Sequence, residues 1–78
     1  MQETAAGRVL AWIEARIDTD GLGVGDGLPR EQEIAEAVGV GRSSVREALT
    51  TLKVLGIIEQ RRKGGIRIVR DPVLLGLR

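Results

Sequence analysis

Ile34-Ala-Glu-Ala-Val-Gly39-Val-Gly-Arg42-Ser-Ser-Val45-Arg46-Glu-Ala48-Leu49-Thr-Thr-Leu52-Lys53-Val-Leu55 is the stretch that decides the fold. Two short helical patterns flank a turn that contains Gly39. Glycine adopts a positive φ at little cost, so the chain can leave the first helix tightly there. Ala35, four residues earlier, is small enough for two steeply crossed helices to approach. Ile34, Val38, Val40, Val45 and Ala48 close a small core around the turn. The second pattern continues its apolar stripe through Leu49, Leu52 and Leu55, and Gly56 is a natural stop. Its other face carries Arg42, Ser43, Arg46, Thr50 and Lys53. Arg42 and Arg46 are i, i+4 neighbours and share one side of the helix. One greasy face and one basic, hydroxyl-rich face is what a helix-turn-helix needs to set a helix in the DNA major groove. The bland alternative is an amphipathic helical hairpin whose polar face is merely solvated.

Working outward, residues 4–18 repeat Ala6, Val9, Leu10, Ile13 and Ile17 at helical spacing, with Thr4 placed to cap the start. Trp12 lies on the flank and is read as a core residue. Residues 19–27 hold four alternating glycines, at 21, 23, 25 and 27. They lack the spacing of a phosphate-cradling loop, and the expectation is a flexible connector. Leu28-Pro29 opens the next helix, with Glu31 and Glu33 in its first turn, where carboxylates suit the positive end of the helix dipole. That helix should end near Val38.

Beyond Gly56, residues 57–62 and 66–69 read as two strands around a glycine tip, Lys63-Gly64-Gly65. Their basic residues are Arg61, Arg62, Lys63, Arg67 and Arg70. A basic hairpin after a helix-turn-helix is a wing. The competing reading is an ordinary hairpin whose Lys and Arg guard its edges. The single sign of charge at the tip favours the wing. The fold class expected is therefore mainly α with a small β-hairpin: a winged helix-turn-helix of three helices and a two-stranded wing.

The chain has 78 residues and a formal net charge of +1. That near-neutrality hides an asymmetry. Residues 1–41 hold three basic and eight acidic residues, whereas residues 42–78 hold nine basic and three acidic ones. Positive charge thus begins where the proposed recognition helix begins, and a polyanion would be met by that half. There is no Cys and no His, so no disulfide, no Cys-based zinc site and no visible nucleophile–base pair. The expectation is no enzyme, no metal and no cofactor. Neither a secretory signal nor a membrane-length apolar run is present, and the chain is read as cytoplasmic. Single-stranded RNA readers stack bases on aromatics, and Trp12 is the one aromatic here. A winged helix used for protein or RNA contact remains the alternative to DNA reading.

Leu28-Pro29-x-Glu31-x-Glu33-Ile34-Ala35, Val38-Gly39-Val40-x-Arg42-x-x-Val45-Arg46-Glu47-Ala48-Leu49 and Leu52-x-x-Leu55-Gly56-Ile57-Ile58 together resemble the GntR family of bacterial transcription regulators. The resemblance runs from residue 7 to 70, and Asp71-Pro72 after the wing is similar to the FadR-like branch. It implies an N-terminal winged helix-turn-helix that binds an operator in double-stranded DNA as a homodimer. It also implies a C-terminal domain that takes a small-molecule effector. Residues 1–70 would be the DNA-binding domain and 71–78 the start of a linker to that second domain. By the same resemblance Arg42 and Arg46 contact bases and phosphates, Ser43 and Ser44 add polar contacts, and Gly64 approaches the minor groove. Lys53, Arg61, Arg62, Lys63, Gly65 and Arg67 complete the expected surface, with the wing at 61–67. Three positions depart from the family pattern: Arg30 replaces a capping Ser, Gln32 an Arg, and Gly41 a capping Ser or Thr. Arg30 is the candidate substitute for the arginine missing at 32.

Overall fold

A computed structural model of the chain describes residues 4–62 and 65–71. Three helices come first in space: α1 (Ala5–Asp20), α2 (Glu31–Val38) and α3 (Arg42–Val54). Thr4 caps α1 as its position suggested, with Oγ1 accepting from Gly7 N at 2.9 Å. The helix runs two residues past the expected end, and an Arg16–Asp20 pair at 2.8 Å spans its last turn. At the turn between α2 and α3, Gly39 takes φ +80°. Gly39 N and Val40 N both donate to the Ala35 carbonyl, which satisfies the end of α2 while reversing the chain. Gly56, φ +75°, does the same for α3, with Ile57 N on Leu52 O at 2.9 Å. Both stops fall where the sequence placed them.

The core forms from one face of each element. Val9, Ile13 and Ile17 from α1 meet Ile34 and Ala35 from α2 and Val45, Ala48, Leu49 and Leu52 from α3. Ile57, Ile58, Ile66 and Ile68 close the bottom. Trp12 is partly buried against this core, and the Arg16 guanidinium sits 5.5 Å from its ring centroid. Leu55 departs from the expected buried stripe. It is the α3 C-cap residue and is 39% exposed, because the helix has ended and the stripe with it. Its side chain instead edges an apolar groove with Leu10, Ile17 and Leu52.

The wing strands are β2 (Ile58–Arg61) and β3 (Gly65–Ile68), antiparallel, with Glu59 opposite Arg67 and Gln60 opposite Ile66. The sheet gains a third strand that the sequence reading lacked. Gly27–Leu28, labelled β1, pairs antiparallel with β3, giving the order β1-β3-β2. Leu28-Pro29 therefore belongs to strand and lead-in rather than to the helix, which starts at Glu31. The expected flexible connector is also corrected. Gly25 N donates to Ile68 O at 2.8 Å, Ile68 N to Asp26 O at 2.9 Å, and Gly23 N to Asp26 Oδ2 at 2.8 Å. Gly25 and Asp26 are pinned to the wing by backbone bonds, while Gly21 and Leu22 bond back to the end of α1.

Candidate nucleic-acid interface

α3 owes its exposed arginines to the same periodicity that buries Val45, Ala48, Leu49 and Leu52. Arg42 and Arg46 point to solvent, with side chains 59% and 66% exposed. The crossing of α2 on α3 places the first turn of α2 beside them. The sheet places the end of β2 opposite. The result is an open depression lined by Arg30, Gln32, Arg42, Arg46, Arg61 and Arg62, with Glu31, Gln60 and Gly65 completing its wall. Five guanidinium side chains surround one carboxylate, so the depression suits a polyanion.

Arg42 and Arg46 are outward but not independent. Nε of each donates to the same Oε1 of Glu31, both at 3.1 Å. Glu31 is 14% exposed in its side chain, far less than either of the two cations it holds. The sequence suggested only a helix-dipole role for this carboxylate. Its contact with α3 depends on how the two helices cross, which no spacing of residues in the chain reveals. Gln60 was missed for a similar reason. It accepts from Lys53 Nζ at 3.2 Å and so ties the middle of α3 to β2.

The remaining expected residues are spread over the helix caps, the start of α3, α2 and the wing. Arg30 occupies the N-cap of α2 without a side-chain cap bond, and Gly41 does so for α3. Ser43 and Ser44 stand in the first turn of α3, the former exposed and the latter half-buried. Gln32 donates to Glu36 Oε1 at 3.4 Å along its own helix. Arg61 pairs with Glu59 two residues back, which lowers its contribution to the field. Arg67 does not join the depression. It alternates away from Ile66 and Ile68 and donates to the Gly25 carbonyl at 3.1 Å, where it ties β3 to the preceding loop. Lys63 and Gly64 lie outside the described residues. Among the described residues no group of acidic side chains is arranged to hold a metal, and no helix is long and apolar enough to cross a membrane.

Residues 5–68 match the family model described as bacterial regulatory proteins, gntR family. The Uxu operon regulator of Haemophilus influenzae is 45% identical over 49 residues, which are 63% of this chain and 18% of that protein. The Exu regulon transcriptional regulator of Escherichia coli is 40% identical over 64 residues, 82% of this chain and 25% of that one. The chain thus spans a quarter or less of these relatives. Among solved structures, the AraR DNA-binding domain in complex with operator ORX1 superposes with a TM-score of 0.76, covering 88% of this chain and 82% of that one. At 23% identity that likeness establishes the winged-helix fold alone.

Proposed function

We propose that this chain, which belongs to the gntR family of bacterial regulatory proteins, reads double-stranded operator DNA with the start of α3 in the major groove. The chain is the DNA-binding domain of a transcription regulator; what is proposed is which residues do the reading. The supporting observation is the depression itself: the arginines of α3, the α2 cap and the wing base converge on one face. Arg42 and Arg46 project forks suited to the O6 and N7 acceptors of guanine. Ser43 lies beside them at the helix start. Arg30, Lys53, Arg61 and Arg62 meet phosphates and set the register. Lys63, Gly64 and Gly65 are proposed to contact the backbone or minor groove, as the family resemblance implies. Gln32 takes a rim position. Arg67 is proposed only as a support of the wing, given its bond to Gly25.

None of this requires a cofactor or a catalytic step, because reading uses donors and cations that the chain already carries. The matched regions are 18% and 25% of the lengths of these relatives. Residues 71–78 as the start of a linker to a C-terminal effector-binding domain, and a homodimeric whole protein acting in the cytoplasm, complete the proposal.

The test is binding-site selection from random duplexes, followed by fluorescence anisotropy on the selected duplex and a scrambled one. Arg46→Ala should cost about 1–3 kcal/mol on the selected duplex and flatten sequence preference. Lys53→Ala should weaken both duplexes equally. Equal loss on both duplexes for Arg46→Ala would remove its base-reading role.

A further inference from the structure

Glu31 is the acidic residue that a DNA-reading surface has no evident use for. It faces the groove that would receive phosphates, and a carboxylate there opposes the polyanion. Yet it is among the least exposed polar side chains of that face, and one of its oxygens serves both recognition-helix arginines. Two guanidiniums one helical turn apart repel each other when no anion lies between them. Long, exposed arginines also sample many rotamers, and ordering them on binding is unfavourable. Glu31 removes both problems before DNA arrives. Its position as the first residue of α2 sets it beside the start of α3, within reach of both guanidiniums.

The geometry has a further consequence. Both bonds run through Nε. Neither bond uses an Nη group, and among the described residues no second carboxylate bonds either guanidinium. A fork held in this way meets a base edge in one orientation, while the shared anion cancels one of the two positive charges.

Resting on the DNA-reading proposal above, we infer that Glu31 is a specificity-determining positioning residue. It aims Arg42 and Arg46 at base edges and withholds from them the charge that would grip any phosphate backbone. Affinity for arbitrary DNA is thereby lowered, and discrimination is raised.

The experiment compares the parent chain with Glu31→Gln and Glu31→Asp on two duplexes: one selected by the parent from a random library, and a scrambled duplex of equal composition. Anisotropy titrations across a range of salt give affinity and salt slope for each. Glu31→Gln should bind the scrambled duplex more tightly. One more counterion released, at a slope of about 0.9 per phosphate, corresponds to up to about eightfold at about 0.1 M salt. Its salt slope should steepen by about one unit on both duplexes. The ratio of selected to scrambled affinity should fall about tenfold, because charge is gained everywhere while aim is lost on the selected site. Glu31→Asp retains the charge with a shorter reach. It should keep the parental salt slope and lose part of the discrimination. A merely structural role predicts the reverse for Glu31→Gln, weaker binding to both duplexes with a lowered melting temperature, and that result overturns the inference. Unchanged discrimination in both variants overturns it as well, while leaving the DNA-reading proposal standing. A parent chain that enriches no duplex at all would instead bring down that proposal and this inference with it.

Discussion

Gly39 and Gly41 stand two residues apart in one turn, yet replacing them should move stability in opposite directions. Gly39 holds φ +80° and ψ 39°, and a Cβ built there meets nothing within 4 Å. Space is therefore not the obstacle to Gly39→Ala. The penalty is the left-handed backbone, about 1–2 kcal/mol for an L residue. Reduced freedom of the unfolded chain returns about 0.4–1 kcal/mol of that. A net loss near 1 kcal/mol is expected as an order of magnitude. Gly41 holds φ −74° and ψ 159°, which any residue adopts. A Cβ there touches Ser43 Oγ at 3.9 Å, an ordinary contact. Gly41→Ser gains about 0.4–1 kcal/mol through the unfolded state. Its hydroxyl can also accept from the first-turn N–H groups of α3, which adds a few tenths of a kcal/mol relative to Gly, to order of magnitude. The two variants should thus differ by about 2 kcal/mol, or about 8–16 °C in melting temperature for a domain of this size. Urea titration followed by far-UV ellipticity and by Trp12 fluorescence measures the difference, with an unchanged m value as the sign that only stability moved. Gly39→Ala melting at or above the parent, or Gly41→Ser melting below it, refutes the reasoning.

Two further outcomes follow from burial and capping. Arg30→Ser places a capping hydroxyl at the N-cap of α2, where the arginine makes no side-chain cap bond. It should stabilise the fold by about 1 kcal/mol while lowering the salt slope of DNA binding by up to about 0.9, so that thermal melting and anisotropy move in opposite senses. Leu49, 1% exposed at the centre of the core, should lose about 2–5 kcal/mol on truncation to Ala. A domain of this length has about 4–12 kcal/mol in total, so much of the chain should lose its cooperative transition, and a melt close to the parent's would contradict the packing described.

The helices were legible because their signals are local. Thr4, Gly39 and Gly56 mark the ends of helices through bonds made within five residues, and the stripe 45, 48, 49, 52 follows from helical period alone. The hairpin was legible for the same reason, since its strands are adjacent in the chain. Leu55 was misjudged because periodicity continues in a sequence after the helix has stopped. The short strand Gly27–Leu28 was hidden because two residues carry no alternation, and their partner in β3 lies almost forty positions away. The candidate site divides in the same way. Arg42 and Arg46 could be picked from the helical face they share. Glu31, Gln60 and the diversion of Arg67 to Gly25 depend on how α2, α3 and the sheet are set against one another. Division of charge at residue 42 was a good guide to the basic half, and its one important exception is the carboxylate that folding carries across the boundary.

The pinning of residues 25–28 to β3 makes the wing an extension of the segment that leads into α2. Where the hairpin points is then set upstream of α2 and α3, by a stretch whose contact with the expected surface is through Arg67. Loop exchange between regulators of this architecture would have to respect that coupling. Added length around Gly21–Val24 could bulge outward harmlessly, whereas one residue inserted between Gly25 and Leu28 would slide the pairing and swing the wing to a new bearing. A graft of α3 alone would carry over the fingertips while leaving the angle of the hand unchanged.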